Sequence, residues 1–211
     1  MKQKLLLLVL GLCFLAPTVN AQNKALEKAR KKEYKQKMKM YKDEGWKLFA
    51  SSRSLDVALL THYDKLNTMG EDGQEIVGVA TKCRSKNVGR QMALNNACVT
   101  YAQQAGSKVK GRVVSDMQGD GVNADAEFDK FYSAYERLVD KEIRGEMKES
   151  YSIIRDNGDG TYEIQTYFII NESAASKARL RAMEQASRET EMAQQYAKKI
   201  SDFVKEGFKQ E

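Results

Sequence analysis

The one local pattern with the spacing of an ion-binding loop runs from Asp116 to Glu127. Asp116, Gln118, Asp120, Gly121 and Glu127 fall at positions 1, 3, 5, 6 and 12 of a calcium-loop template. Oxygen ligands at alternate positions, a glycine at the sharp turn and a carboxylate twelve along are what a hard cation requires. Against it, Gln118 stands where Asp or Asn is usual and Asn123 where the residue is normally apolar. The segment upstream also reads as a strand, where such a loop needs a helix. Motifs this short often match by chance, so an acidic surface loop is the default expectation and a calcium-binding module the alternative.

Nucleophilic chemistry has less to build on. His62 is the only histidine and borders an apolar stripe. A His62–Cys83 dyad has no supporting spacing and no third group to orient the imidazole. There is no zinc-type cluster, phosphate-cradling glycine loop or nucleophile elbow. Paired carboxylates are the remaining route to catalysis, because 29 acidic residues always offer some pair. The expectation is a protein that is not an enzyme, with no cofactor and no small-molecule substrate; an enzyme with a carboxylate-based site is the rival.

Charge is the stronger signal. Asn23 to Asp43 holds Lys24, Lys28, Arg30, Lys31, Lys32, Lys35, Lys37, Lys39 and Lys42 against Glu27, Glu33 and Asp43, a net of +6. Residues 44–211 carry 24 basic and 26 acidic residues, so the basic balance belongs to one segment. Leu26, Ala29, Tyr34, Met38 and Tyr41 give that segment a partial apolar stripe. Its bland reading is a solvated or loosely docked helix. Its functional reading is a surface for anionic lipid or an acidic envelope polymer, with Lys24, Lys28, Arg30, Lys31, Lys32, Lys35, Lys37 and Lys39 as the binding residues. Nucleic acid is not expected, since no recognisable binding fold accompanies the charge.

The first residues explain where such a partner would be met. Met1-Lys2-Gln3-Lys4, an apolar run from Leu5 to Ala16 and small residues up to Ala21 have the layout of a secretory signal peptide cleaved after Ala21. The run is shorter than the roughly 20 residues that span a bilayer. Cys13 follows Gly11-Leu12 inside that run, and bulky Leu12 argues against lipid attachment there. The expected location is the periplasm or outer membrane, or outside the cell. Cys83 and Cys98 remain in a compartment that permits disulfides. Cys98 lies about 16 Å along a helix from its start near Cys83, beyond the roughly 7 Å that a bridge allows.

The elements that must position these residues centre on Glu75 to Asp116, which reads as strand (Glu75–Thr81), helix (Asn87–Gly106) and strand (Lys108–Asp116). Leu94, Ala97, Cys98, Tyr101, Ala102 and Ala105 recur at helical spacing, small enough for the helix to lie close to a sheet. Before this unit come a short strand at Trp46–Ala50 and a helix from Leu55 to about Thr68, capped by Ser54. After it come a helix at Asp125–Asp140 and a hairpin of Ile143–Arg155 with Thr161–Ile170. The Asn157-Gly158 and Asp159-Gly160 steps supply the positive φ of the hairpin's reversal. A long closing helix then runs from Ser173 to about Glu206 with Asn171 as the other possible cap, its stripe running from Ala175 to Val204.

Gly78-Val79-Ala80, the alanine-rich helix with Ala93, Ala97 and Ala102, and the paired strands Gly145–Ile153 and Gly160–Ile169 resemble the LPP-twenty family of bacterial envelope lipoproteins. The related N-terminal domain of the flagellar T-ring protein is similar in the same way. The resemblance spans about residues 75–170 and implies a small α+β envelope domain with no catalytic residues to carry over; the chain departs from it in lacking a lipid-attachment cysteine. The expected architecture is a signal peptide (1–21), a basic N-terminal helix (22–43) and a single α+β domain (44–211). That domain is expected as a two-layer sandwich, with a curved mixed sheet of about five strands, packed helices, and long helices at both ends. The expected function is non-enzymatic binding or assembly in the cell envelope, with an envelope protein or an anionic membrane surface as partner.

Overall fold

A computed structural model describes residues 18–117, 125–189 and 197–205, with only the backbone described at some positions in α1, in α6 and at the α3 and α4 ends that flank 118–124. The chain divides into two units, residues 1–44 and 45–211. The first contains helix α1 (Thr18–Asp43). Proline is absent from it, and Ala, Leu, Glu, Lys and Gln, all good helix formers, dominate it. Gly45, with φ 76°, takes the left-handed conformation just beyond its end.

The second unit is α+β. Its elements are β1 (Lys47–Phe49), α2 (Leu55–Met69), a 3₁₀ turn (Gly70–Asp72), β2 (Gly73–Cys83) and α3 (Lys86–Met117). They continue with α4 (Asp125–Ile143), β3 (Lys148–Asp156), β4 (Tyr162–Asn171), α5 (Glu172–Ser187) and α6 (Ala197–Lys205). The four strands form one antiparallel sheet in the order β1-β3-β4-β2. The β3–β4 hairpin forms as its turn residues require. Asp156 accepts from the Gly158 amide at 2.8 Å, Asp159 accepts from the Thr161 amide at 3.0 Å, and both glycines have positive φ.

Register assigns the two faces of the sheet. Ile76, Gly78 and Ala80 of β2 point the same way as Ile164, Thr166, Phe168 and Ile170 of β4, towards the core built by α3, α4 and α5. Glu75 and Tyr167 point to the other face, where α2 contributes Leu59, His62, Tyr63 and Leu66 as buried residues. The domain therefore has helices on both faces of the sheet, one more layer than expected. Gly78 is where α3 comes closest, for a Cβ there would collide with the Ala93 carbonyl. Ser54 caps α2 by accepting from the Val57 amide at 3.3 Å, and Asn171 caps α5 by accepting from Ala174 at 3.2 Å.

Two sequence expectations about the elements are corrected. Lys108–Asp116 is not a strand but the second half of α3, which leaves four strands and removes the parallel pairing of a mixed sheet. The reason is packing: Ala102, Ala105, Val109 and Val113 continue the buried stripe at helical spacing against α4. The closing helix is not one rod from Ser173 to Glu206. Helix α5 ends at Ser187, with backbone bonds from Arg188 and Glu189 closing its last turn, and α6 is a separate helix packed on α5 and α3. Cys83 and Cys98 are both buried and free. Burial pushes the Cys98 thiol up from its ordinary pKa, against the opposing pull of Arg144.

Among the described residues, one guanidinium lies inside the core. Arg179, fully buried on α5, pairs with Glu172 and donates to the Tyr101 hydroxyl, and Gln74 donates to Glu172 at 2.8 Å. A buried guanidinium survives only with partners of this kind. Here they tie β2, α3 and α5 together.

Candidate functional site

Helix α1 arranges its charge more strictly than its composition implies. Lys24, Lys28, Lys31, Lys35, Lys39 and Lys42 follow one another at steps of three or four residues, so they descend a single line along the helix. Lys32 lies beside that line. All seven are exposed, and none pairs with an acidic side chain among the described residues. At a rise of 1.5 Å per residue the row is about 27 Å long. Arg30 and Lys37 fall on the opposite side of the helix, near Tyr34 and Tyr41, and are half-buried; Lys37 pairs with Glu33 at 3.4 Å.

Six of the eight predicted docking residues therefore share a face and two do not. Lys42 completes the row, and the signal for it was present in the sequence as the three-residue step from Lys39. Like charges three or four residues apart each cost a helix about 0.2–0.5 kcal/mol. Placing seven lysines on one face gives up stability that alternating charge would have supplied. Only Lys42 regains some, by its position in the last turn, where it meets the negative end of the helix dipole.

The other predicted sites are not assembled. His62 is fully buried and its Nε2 meets Glu75 Oε2 at 2.5 Å, while its Nδ1 has no hydrogen-bond partner among the described residues. The Tyr63, Tyr151 and Tyr167 rings surround the imidazole edge-on, and Tyr151 and Tyr167 stack on each other at 4.4 Å. Cys83 is on the other face of the sheet, clustered with Ala80 and Ala93, so no His62–Cys83 dyad exists. The three tyrosine rings enclose an oriented imidazole–carboxylate pair.

In the calcium-loop pattern, Gln118, Asp120 and Gly121 lie outside the described residues, as do the side chains of Asp116 and Glu127. The element upstream is helical through Met117 and α4 follows at Asp125, so the segment connects two helices. Among the described residues no group of three His, Cys, Asp or Glu could hold a metal ion.

A cavity of about 430 Å³ opens between the end of α2 and the sheet, with Ile169, Ala174 and Met69 as its apolar wall and Asp64, Lys65, Glu146 and Lys148 around it. Glu146 accepts from Arg181 at 3.5 Å and Lys148 donates to the Gly145 carbonyl at 3.0 Å, so both are already engaged within the fold. No described helix is long and apolar enough to cross a membrane. No protein-family model, curated protein or solved structure matches this chain.

Proposed function

We propose that this protein is an exported, non-enzymatic component of a bacterial cell envelope, which docks to an anionic partner through the lysine face of α1. The observation carrying this reading is the row of six exposed lysines with Lys32 beside it, set against residues 44–211 with a net charge of −2. Export rests on the charged and apolar layout of residues 1–21, and the envelope on the resemblance of residues 75–170 to the LPP-twenty proteins. Lysine is a flexible point charge, suited to neutralising a diffuse anionic target. Co-sedimentation with anionic vesicles and with anionic envelope polymers tests the reading. The purified protein binds at low ionic strength and is released as salt rises. The triple variant Lys28→Glu, Lys31→Glu, Lys35→Glu loses most of that binding, and unchanged binding would overturn the proposal.

A second reading, an enzyme with a carboxylate-based site, is favoured by one observation: Asp64 and Glu146 both line the 430 Å³ cavity. A screen of small metabolites by thermal shift separates the two. A hit abolished by Asp64→Asn would support the enzyme reading, because a bound ligand must raise the unfolding midpoint.

A further inference from the structure

We infer that the occupant of the lysine face is a linear acidic polysaccharide, an extended chain carrying about one carboxylate per sugar, and not a flat membrane; this rests on the docking reading above. The six lysines of the row are spaced by three or four residues, an average of about 5.4 Å along the helix axis, one per turn. A row one residue wide complements an occupant that is itself a line of charge with a similar repeat. Duplex DNA presents a charge about every 1.7 Å and each of its strands about every 3.4 Å, denser than the row can match. The row also offers no exposed aromatic ring on which bases could stack.

The membrane is disfavoured by the make-up of the helix itself. An interfacial helix buries an apolar face next to its basic one. Here Tyr34 and Tyr41 share their side of the helix with Arg30 and Lys37, so no wholly apolar face is presented for insertion.

The test uses the purified protein with polyuronate oligomers of graded length, and with vesicles of anionic phosphatidylglycerol. Affinity for the oligomers rises with length until the chain spans about 27 Å, roughly five sugars at the row's own repeat, and then levels off. The triple variant Lys28→Glu, Lys31→Glu, Lys35→Glu weakens this binding by roughly tenfold or more. The variant Lys130→Glu, Lys141→Glu, Lys177→Glu, with the same change of net charge at exposed positions off α1, leaves it within about twofold. Equal weakening in both variants would reduce the effect to net charge and overturn the assigned face. Binding to vesicles but not to polyuronate would overturn the polysaccharide while leaving anionic docking intact. Binding to neither would overturn both.

Discussion

Two residues mark where single side chains control this fold. Gly78 lies under α3 at the sheet's closest approach to a helix, with no room for a methyl group beside the Ala93 carbonyl. Gly78→Ala should cost about 2–4 kcal/mol, since backbone must move to relieve the collision, and a denaturant titration measures it. Glu75 is the hydrogen-bond partner of buried His62. Glu75→Ala would leave both imidazole nitrogens buried without a described partner, at a cost of about 1–3 kcal/mol in the same titration. Neither role could be read from the sequence. Glu75 looked like any solvent-facing strand residue, and His62 like a histidine at the border of an apolar stripe. Their pairing depends on α2 lying on the face of the sheet opposite to α3, which no local pattern encodes. The lysine row was legible because it depends only on helical spacing within one element. Even so, counting charge without placing it on the helix included Arg30 and Lys37 and left out Lys42.

At the scale of elements, what was legible followed from strong local periodicity or turn chemistry. Helix α2 with its Ser54 cap, the buried small-residue stripe of α3 from Ala97 to Ala105, α4 and the Asn-Gly hairpin are all of this kind. Lys108 to Val113 was misread because Val109 and Val113 suit a strand alternation as well as a helix. Contact with α4 decides between them. The end of α5 at Ser187 was hidden for a similar reason, because the apolar spacing that begins at Ala175 resumes with Ala197, Ile200 and Val204. The α3–α4–α5 interface carries a pH prediction. Burial pushes the Tyr101 hydroxyl up to about 12 against the opposing pull of Arg179, and burial together with Asp129 raises Tyr132 to about 12. Burial raises Tyr135 as well. Between pH 10 and 12 the unfolded chain releases protons that the folded chain retains, so stability should fall as pH rises through that window. Below about pH 9 these groups contribute no pH dependence. The unfolding midpoint measured across the range, with tyrosinate absorbance alongside, checks it. A midpoint flat to pH 12 would mean that these hydroxyls are not held in the core.

For the whole molecule, the basic excess is confined to one helix while residues 44–211 are nearly neutral, and the proposed function uses that uneven distribution. The 118–124 connection between α3 and α4 retains the calcium pattern as an alternative. Replacing calcium with a chelator is expected to leave the thermal midpoint unchanged, and only a rise with calcium that Asp120→Asn abolishes would assign the ion to this connection. The strand order β1-β3-β4-β2 has a further, kinetic consequence. Both N-terminal strands pair only with the C-terminal hairpin: Leu48 meets Ile153, and Ile76 meets Phe168 some ninety residues later. During synthesis at about 5–20 residues per second, β1 and β2 have no sheet partner until residues 148–171 emerge. Distant pairing of this kind also slows folding. The first two-thirds of the chain cannot form the sheet on their own; under the export proposed above, a channel that accepts only unfolded polypeptide would receive this protein before it could close.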